Sequence, residues 1–264
     1  MIEPLGDYTV LTFNLEQPPL DDLQFRHALT QSINRDVLIT NALGGQAQPL
    51  DTPILPGTWA FDPQAQLPQF RRSAAQQAFG VLGYVDQDRD GLLELEGQPL
   101  ALPVLCADEP ESIAVANELR RQLRDVGVDL LIDAVPAATL QNDLQTRNFT
   151  LALHSWSDVG VDPDVWTLWH SSQADGGANY AGLRDEEIDQ LLLDGRATTE
   201  EDQRRAIYAE FQQRWVELLP SLPLYQPTLA YDVAETIDLP SPGTFLPNRA
   251  QRFATLDQWI VPAP

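Results

Sequence analysis

Near the start of the chain the apolar positions form a dense β-branched and aromatic run, YTVLTFNL at residues 8–15, which ends before Pro18-Pro19. Such a run closed by a proline break predicts a strand. The period then changes. Phe25, Ala28, Leu29, Ile33 and Val37 recur on one face, Asp21 or Asp22 stands where an N-cap belongs, and Gly44-Gly45 supplies a stop, which predicts a single helix over about residues 22–43. From Gln46 to Phe70 the prolines at 49, 53, 56, 63 and 68 leave no period, so this stretch reads as an extended surface segment wrapped on a packed body. A short helix from Arg72 to Leu82, ending at Gly83, comes next.

QPLALPVLC predicts a strand and ESIAVANELRRQLRDVG a helix with Ile113, Ala116, Leu119, Leu123 and Val126 in one stripe; VDLLIDAV predicts a second strand. A β-α-β unit of this kind pairs its strands in parallel through a right-handed crossover, so the fold class expected is α/β, a sheet covered by helices. ATLQNDLQTRN adds a short helix and FTLALHSW a strand expected to be buried on both faces. After Trp156 the pattern dissolves into a loop dense in Asp, Gly, Ser and aromatics, the kind of segment that carries function more often than helices do. Two helices follow, at about residues 185–196 and 200–219, the second opened by a capping box from Thr199 to Asp202 and closed by Pro220. LPLYQPTLAYDVA supplies one or two short strands, and the last thirty residues are proline-rich.

Composition narrows the function classes. The 264 residues, 43% of them hydrophobic, suffice for a substantial core. A formal charge of −23 repels nucleic acid and anionic membrane surfaces, so neither is an expected partner. No apolar stretch is long enough to span a bilayer, and MIEPLGDYTV lacks the basic start and apolar run of a secretion signal. Cys106 stands alone within the apolar run PLALPVLC, which reads as a buried, inert strand residue. There is no nucleophile elbow, phosphate loop or dinucleotide glycine pattern, and the chain is expected to be no enzyme.

One stretch imitates a metal site. In DQDRDGLLELEG, residues 86–97, Asp86, Asp88, Asp90 and Gly91 occupy the first, third, fifth and sixth positions of a calcium loop, but the twelfth is Gly97 where a bidentate glutamate is required. LLELEG also reads as a strand rather than a second helix. The preferred reading is a structural turn; the alternative is a structural calcium ion held by Asp86, Asp88, Asp90 and Glu94. His27, His154 and His170 have no spacing that puts two of them on one helix face, which leaves a transition-metal site without a pattern.

Five stretches, taken together, carry a resemblance. LTFNL with PLDDLQFRHALTQSINRDVLITNALGGQAQP, AAQQAFGVLGYVDQDRDGLLELEGQPLAL, NELRRQLRDVGVDLLIDAV, FTLALHSWSDVGVDPDVWTLWHSS and AIYAEFQQRWVELLPSLPLY run in order over residues 8–225. They resemble the carboxy-terminal half of the family 5 extracellular solute-binding proteins, the oligopeptide-, dipeptide- and nickel-binding components of bacterial ABC importers. Arg26, Ala28, Leu29, Ile33, Arg35 and Gly45 stand in the family's pattern. The resemblance implies a periplasmic-binding-protein-like lobe of the type II class, a mixed β-sheet flanked by helices. Residues 1–235 would form the second ligand-binding lobe, and residues 236–264, with Trp259, would return toward a first lobe missing from this truncated fragment. It further implies a parent, periplasmic or extracellular and membrane-anchored as a lipoprotein, that captures a peptide or similar small solute and delivers it to ABC transporter permease subunits without a cofactor. A ligand-sensing domain of a transcription regulator is the alternative, since similar lobes occur behind DNA-binding domains.

In an open α/β sheet ligands collect outside the carboxyl ends of strands, where FTLALHSW delivers Trp156, Ser157 and Asp158. A broad apolar face with one N–H donor beside a carboxylate suits a peptide or an oligosaccharide. Packing under the loop is the competing role for Trp156. Peptide-binding members place an aspartate three positions after this tryptophan to hold the ligand's amino terminus; here that position is Val159 and the acid is Asp158, a departure that leaves the amine anchor open. Asn179 and Tyr180 are further candidates for the cleft, with Trp166 and Trp169 behind them. Asp162-Pro163-Asp164 is expected to cap a helix from Val165 to Trp169.

Overall fold

A computed structural model describes residues 2–157, 159–160, 162–234, 237 and 245–258. Its frame is a mixed sheet. Strands β1 (Ile2–Pro4), β2 (Tyr8–Phe13), β6 (Ala101–Ala107), β7 (Asp129–Val135), β8 (Leu151–Trp156) and β9 (Ser221–Ala230) lie in the order β1-β9-β2-β8-β6-β7, and β3 (Ala47–Pro49) pairs with β9. The predicted crossover is present: β6 and β7 pair in parallel from Ala101↔Asp129 to Ala107↔Val135, joined by α4 (Pro110–Arg124). β8 also runs parallel to β6, while β2 opposes both β8 and β9.

Strand alternation sorts the side chains into two faces. Leu11, Phe13, Leu151, Leu153, Val104 and Cys106 join the main core, with Val115, Ala116, Leu119 and Leu123 of α4. On the opposite face Leu105 and Ala152 pack with Leu140 and Leu144 of α5 (Ala137–Thr146), Phe149 and Tyr180. Cys106 is buried, and burial pushes its thiol pKa up, in keeping with an inert side chain. β8 is buried over Leu151–His154, but Ser155 is exposed and Trp156 half-buried, so burial on both faces stops where the strand reaches the sheet's edge.

The single helix expected over 22–43 is two, α1 (Leu23–Gln31) and α2 (Arg35–Leu43). Ser32 Oγ bonds back to Ala28 O at 2.8 Å, and Asn34 caps a new start by accepting the Val37 N–H, polar local bonds that an apolar periodicity does not register. Asp22 caps α1, and Gly44, at φ 60°, ends α2. Arg26 is buried, its guanidinium donating to the Leu20, Asp21, Leu218 and Leu219 carbonyls at 2.7–3.1 Å, and so ties α1 to the end of α8 (Glu201–Leu218).

The proline-rich segment wraps the body with one side exposed, at Gln46, Pro49, Gly57, Pro63, Gln64, Gln66, Gln69 and Phe70, and the other turned inward. Leu50, Ile54, Leu55, Ala60 and Leu67 are buried. Gln212 of α8 pins it: Oε1 accepts from Thr52 Oγ1 at 3.0 Å and the Asp62 N–H at 3.2 Å, and Nε2 donates to Ala60 O at 2.8 Å. α3 (Arg72–Val81) and α7 (Glu186–Ala197) complete the helical cover. The capping box at Thr199 does not form; α8 starts one residue later, with Glu200 at the cap and no side-chain cap bond. Gly195 of α7 admits the Tyr208 ring of α8, which would lie 2.9 Å from any Cβ there. LPLYQPTLA is one ten-residue strand, β9.

Much of the expected return segment, with Trp259, lies outside the described residues. Within them, Leu246 bridges Leu5 in parallel and exchanges backbone bonds with Pro4 and Gly6 at 2.8 and 2.7 Å. No helix among the described residues is long and apolar enough to cross a membrane.

Candidate functional site

The carboxyl ends of β6 and β8 open on the same edge of the sheet as the start of β2, because Tyr8 pairs with Trp156 across the antiparallel ladder. At that edge Trp156 stacks on Tyr180, ring centroids 5.2 Å apart and planes 10° from parallel. His154 meets both rings edge-on, at 5.2 Å and 5.6 Å. Two residues back along the strand it shares the face of Trp156, as alternation requires, but it is only 7% exposed and its Nε2 bonds Thr12 Oγ1 at 2.9 Å. Burial brings its pKa down to about 4, so at neutral pH the ring is an uncharged support for the aromatic pair, not a ligand group.

Trp156 therefore has two roles at once. Its body packs between the Tyr180 cluster and a third cluster of Tyr8, Val10, Leu50 and Leu55, and it remains half-buried. Beyond it lies a cavity of about 240 Å³, walled on one side by Pro53, Ile54 and Leu55 and on the other by Ser157, Val159, Val165 and Leu168. Ser157 is exposed at its mouth. Asp158 lies outside the described residues. Tyr180 is buried, its hydroxyl accepting from Gln141 Nε2 of α5 at 2.9 Å, which fixes the ring under Trp156.

Asn179 is placed differently from the expectation. It is 1% exposed, its amide donating to Leu183 O at 2.8 Å and accepting the Leu183 N–H at 3.0 Å, with Trp169 O and His170 O within 3.4 Å. Those bonds spend its polar atoms on bracing the loop. Trp169 packs edge-on against Trp215, centroids 5.1 Å apart, in the core. Trp166 lies under the Arg196 guanidinium, 4.3 Å from ring centroid to Cζ. The aspartates before it make local turns rather than the expected cap: Asp162 accepts the Asp164 N–H and Asp164 the Trp166 N–H, each at 3.1 Å, while Val165 holds the N-cap position of a one-turn helix, α6 (Trp166–Trp169), without a side-chain cap bond.

The walls contributed by Ile54 and Leu55, and the Gln141 bond that holds Tyr180, were not anticipated as site elements. The apolar triplet ILP inside a polar, proline-rich stretch was the available signal for the first two; Gln141 carries none.

The acidic turn sits elsewhere. Asp86, Asp88 and Asp90 bring carboxylate oxygens within 4.8 Å of one another, but Glu94 is not in that group. Glu94 belongs to a two-residue strand, β4 (Glu94–Leu95), paired with β5 (Gln98–Pro99), and its backbone exchanges hydrogen bonds with Val85, the neighbour of Asp86. The aspartates accept the N–H groups of Gly91, Asp90 and Leu92 at 3.2, 3.0 and 2.7 Å, the bonding of a self-capped turn.

Residues 2–178 match the family described as bacterial extracellular solute-binding proteins, family 5 Middle. The oligopeptide-binding protein AppA of Bacillus subtilis is 24% identical over 237 residues, 88% of this chain and 43% of that protein. The peptide transport periplasmic protein SapA of Salmonella typhimurium is 25% identical over 228 residues, 84% of this chain and 40% of that protein. Among solved structures, AppA in complex with a nonapeptide superposes with a TM-score of 0.81 at 20% identity, covering 100% of this chain and 52% of that one. NikZ of Campylobacter jejuni, in complex with Ni(L-His), gives 0.80 at 22%, covering 98% and 52%. At these identities the structures speak for the fold, the periplasmic-binding-protein-like lobe with its mixed sheet flanked by helices. The chain spans about half the length of these relatives. With more than half of its residues inside the family match, the chain belongs to the bacterial extracellular solute-binding proteins of family 5.

Proposed function

We propose that this chain forms one lobe of a solute-binding protein that captures a peptide or similar small solute and presents it to the permease subunits of an ABC transporter, without a catalytic step. The observation that carries this reading is the half-buried Trp156 face, backed by Tyr180 and His154, at the edge of a cavity where parallel strands end. A rigid aromatic wall of this kind binds by apolar contact at low entropic cost. The peptide-binding names of AppA and SapA support the ligand class. A parent anchored as a lipoprotein in the periplasm or at the cell exterior follows from the same reading, and the regulator alternative draws no support from these relatives.

Calorimetric titration of the chain and of its parent with peptides of graded length, oligosaccharides and Ni(L-His) tests the proposal. A peptide is expected to bind the parent, and to bind the chain alone more weakly because a second lobe's contacts are missing. Trp156→Ala should weaken that binding by about 2 kcal/mol, as loss of a central aromatic contact does. Equal nanomolar affinity for chain and parent would refute the two-lobed reading, and unaltered binding by Trp156→Ala would move the site elsewhere.

A further inference from the structure

The loop that follows Trp156 is fastened by two arginines from distant helices. Arg204 of α8 grips Asp162 with both terminal nitrogens, at 3.1 and 3.0 Å, and its Nε donates to Gly195 O at 2.9 Å. Its guanidinium also lies 5.0 Å from the Trp59 ring and 5.6 Å from Tyr208. Arg196 of α7 reaches Asp164 with Nε at 2.9 Å and Nη2 at 2.8 Å while stacking on Trp166. On the other flank the Val159 N–H donates to Gly6 O at 2.7 Å.

From this geometry we infer that Arg196 and Arg204 are positioning residues of the binding site, setting residues 162–165 against Trp156. The inference rests on the binding reading above. Stability alone does not explain the pairs. Side-chain exposures of 39% and 33% for one pair, and 19% and 56% for the other, place both within reach of water, where such a pair contributes about 0–1 kcal/mol. α7 and α8 are already held by Ile188, Leu192, Tyr208, Phe211 and Trp215, all fully buried. What a guanidinium fork adds is direction, because two parallel N–H bonds and a stacked ring fix a carboxylate in both distance and plane. The platform of Trp156 belongs to the sheet, whereas the loop's aspartates are referenced to the helices. The Asp162–Asp164 side of the cavity is therefore directed by these two arginines, while Val159 is held at Gly6 beside β2.

The test compares the whole chain with Arg196→Met/Arg204→Met and with Arg196→Lys/Arg204→Lys. The readouts are hydrogen–deuterium exchange of the Val159, Gly160, Asp162, Asp164 and Val165 amides, melting temperature, and affinity for an equimolar pool of Ala-Xaa-Ala tripeptides. Both double variants should exchange these amides about tenfold faster while α7 and α8 stay protected, and melt within about 4 °C of the parent sequence. Both should lose about tenfold in affinity, because a site displaced by a fraction of an ångström binds poorly. Lysine keeps the charge without the fork, so recovery of slow exchange by the lysine variant would overturn the inference. So would unchanged exchange in the methionine variant, or faster exchange with undiminished affinity. A fall in melting temperature above about 8 °C in both variants would also overturn it, by making the pairs determinants of the fold. A wild-type chain that binds no member of the pool would refute the peptide reading and leave the exchange comparison to decide the positioning role.

Discussion

Two aspartate-rich loops of this chain, 86–91 and 162–165, present similar letters and use them differently. In the first, Asp86, Asp88 and Asp90 turn back onto the N–H groups of their own loop, and the hydrogen bonds involving these carboxylates close within five residues. In the second, Asp162 and Asp164 make the same local turns and also receive Arg204 and Arg196, which lie 42 and 32 residues further along. A carboxylate spent on its own turn stiffens a few residues. One that also reaches a cation on a packed helix carries the helix's position into the loop, which is what a binding site needs. The count of acids distinguishes nothing between the two; the long-range partner does.

The strongest way to break the second loop's frame is through the wall opposite it. Gln212 is fully buried, with its amide bonded to Thr52, Asp62, Ala60 and Tyr208. Gln212→Leu keeps the volume and removes these bonds, leaving the Asp62 N–H and Ala60 O without them in the interior while Thr52 Oγ1 keeps Ile54 O. The expected cost is about 3 kcal/mol, read as a lower urea midpoint at unchanged slope. A loss below about 1 kcal/mol would show that the proline-rich segment holds its place by apolar packing alone.

Acid should loosen the same region through His154. Its folded pKa, about 4, lies below the ordinary value of 6.5, so the unfolded chain binds the extra proton first. Stability is then complete above about pH 6.5, falls as pH drops through that window, and is lower by about 3 kcal/mol near pH 4. The chain's many carboxylates also titrate at the acid end, and the difference between wild type and His154→Gln isolates the imidazole. The variant should lose stability at neutral pH and show a flatter dependence between pH 4.5 and 6.5, a range taken from the cited shift. Parallel curves would mean that His154 is protonated where it sits.

Much of the frame was legible because it depends on period. The β6-α4-β7 crossover, the Trp156 strand and the α7–α8 pair each follow from apolar spacing that only one element satisfies. What escaped the pattern was polar and local, or polar and distant. Ser32 and Asn34 split one apolar stripe into two helices by short-range bonds. Asn179 was a cleft candidate from its place in the loop after Trp156, and its amide instead faces Leu183, a local polar pairing that spacing does not show. The Arg–Asp clamps join positions whose separation leaves no trace in a single sequence, and the Ile54–Leu55 wall was hidden by the prolines around it.

The first loop supplies the smallest expected effect and the sharpest contrast. Asp86 Oδ1 has no hydrogen-bond partner, and it is the oxygen a calcium ion would claim. The remaining requirements are poorly met, since Glu94 is held on the hairpin and calcium takes about six to eight oxygens where three aspartates supply few. A melting temperature that is the same in millimolar calcium and in chelator is the expected result. Asp88→Asn should be nearly silent, within about 0.5 kcal/mol, because an amide oxygen accepts the Asp90 N–H as a carboxylate does and the site is exposed. A calcium-dependent rise of several degrees, abolished by Asp88→Asn, would turn the self-capped turn into a metal loop and erase the distinction drawn between the two regions.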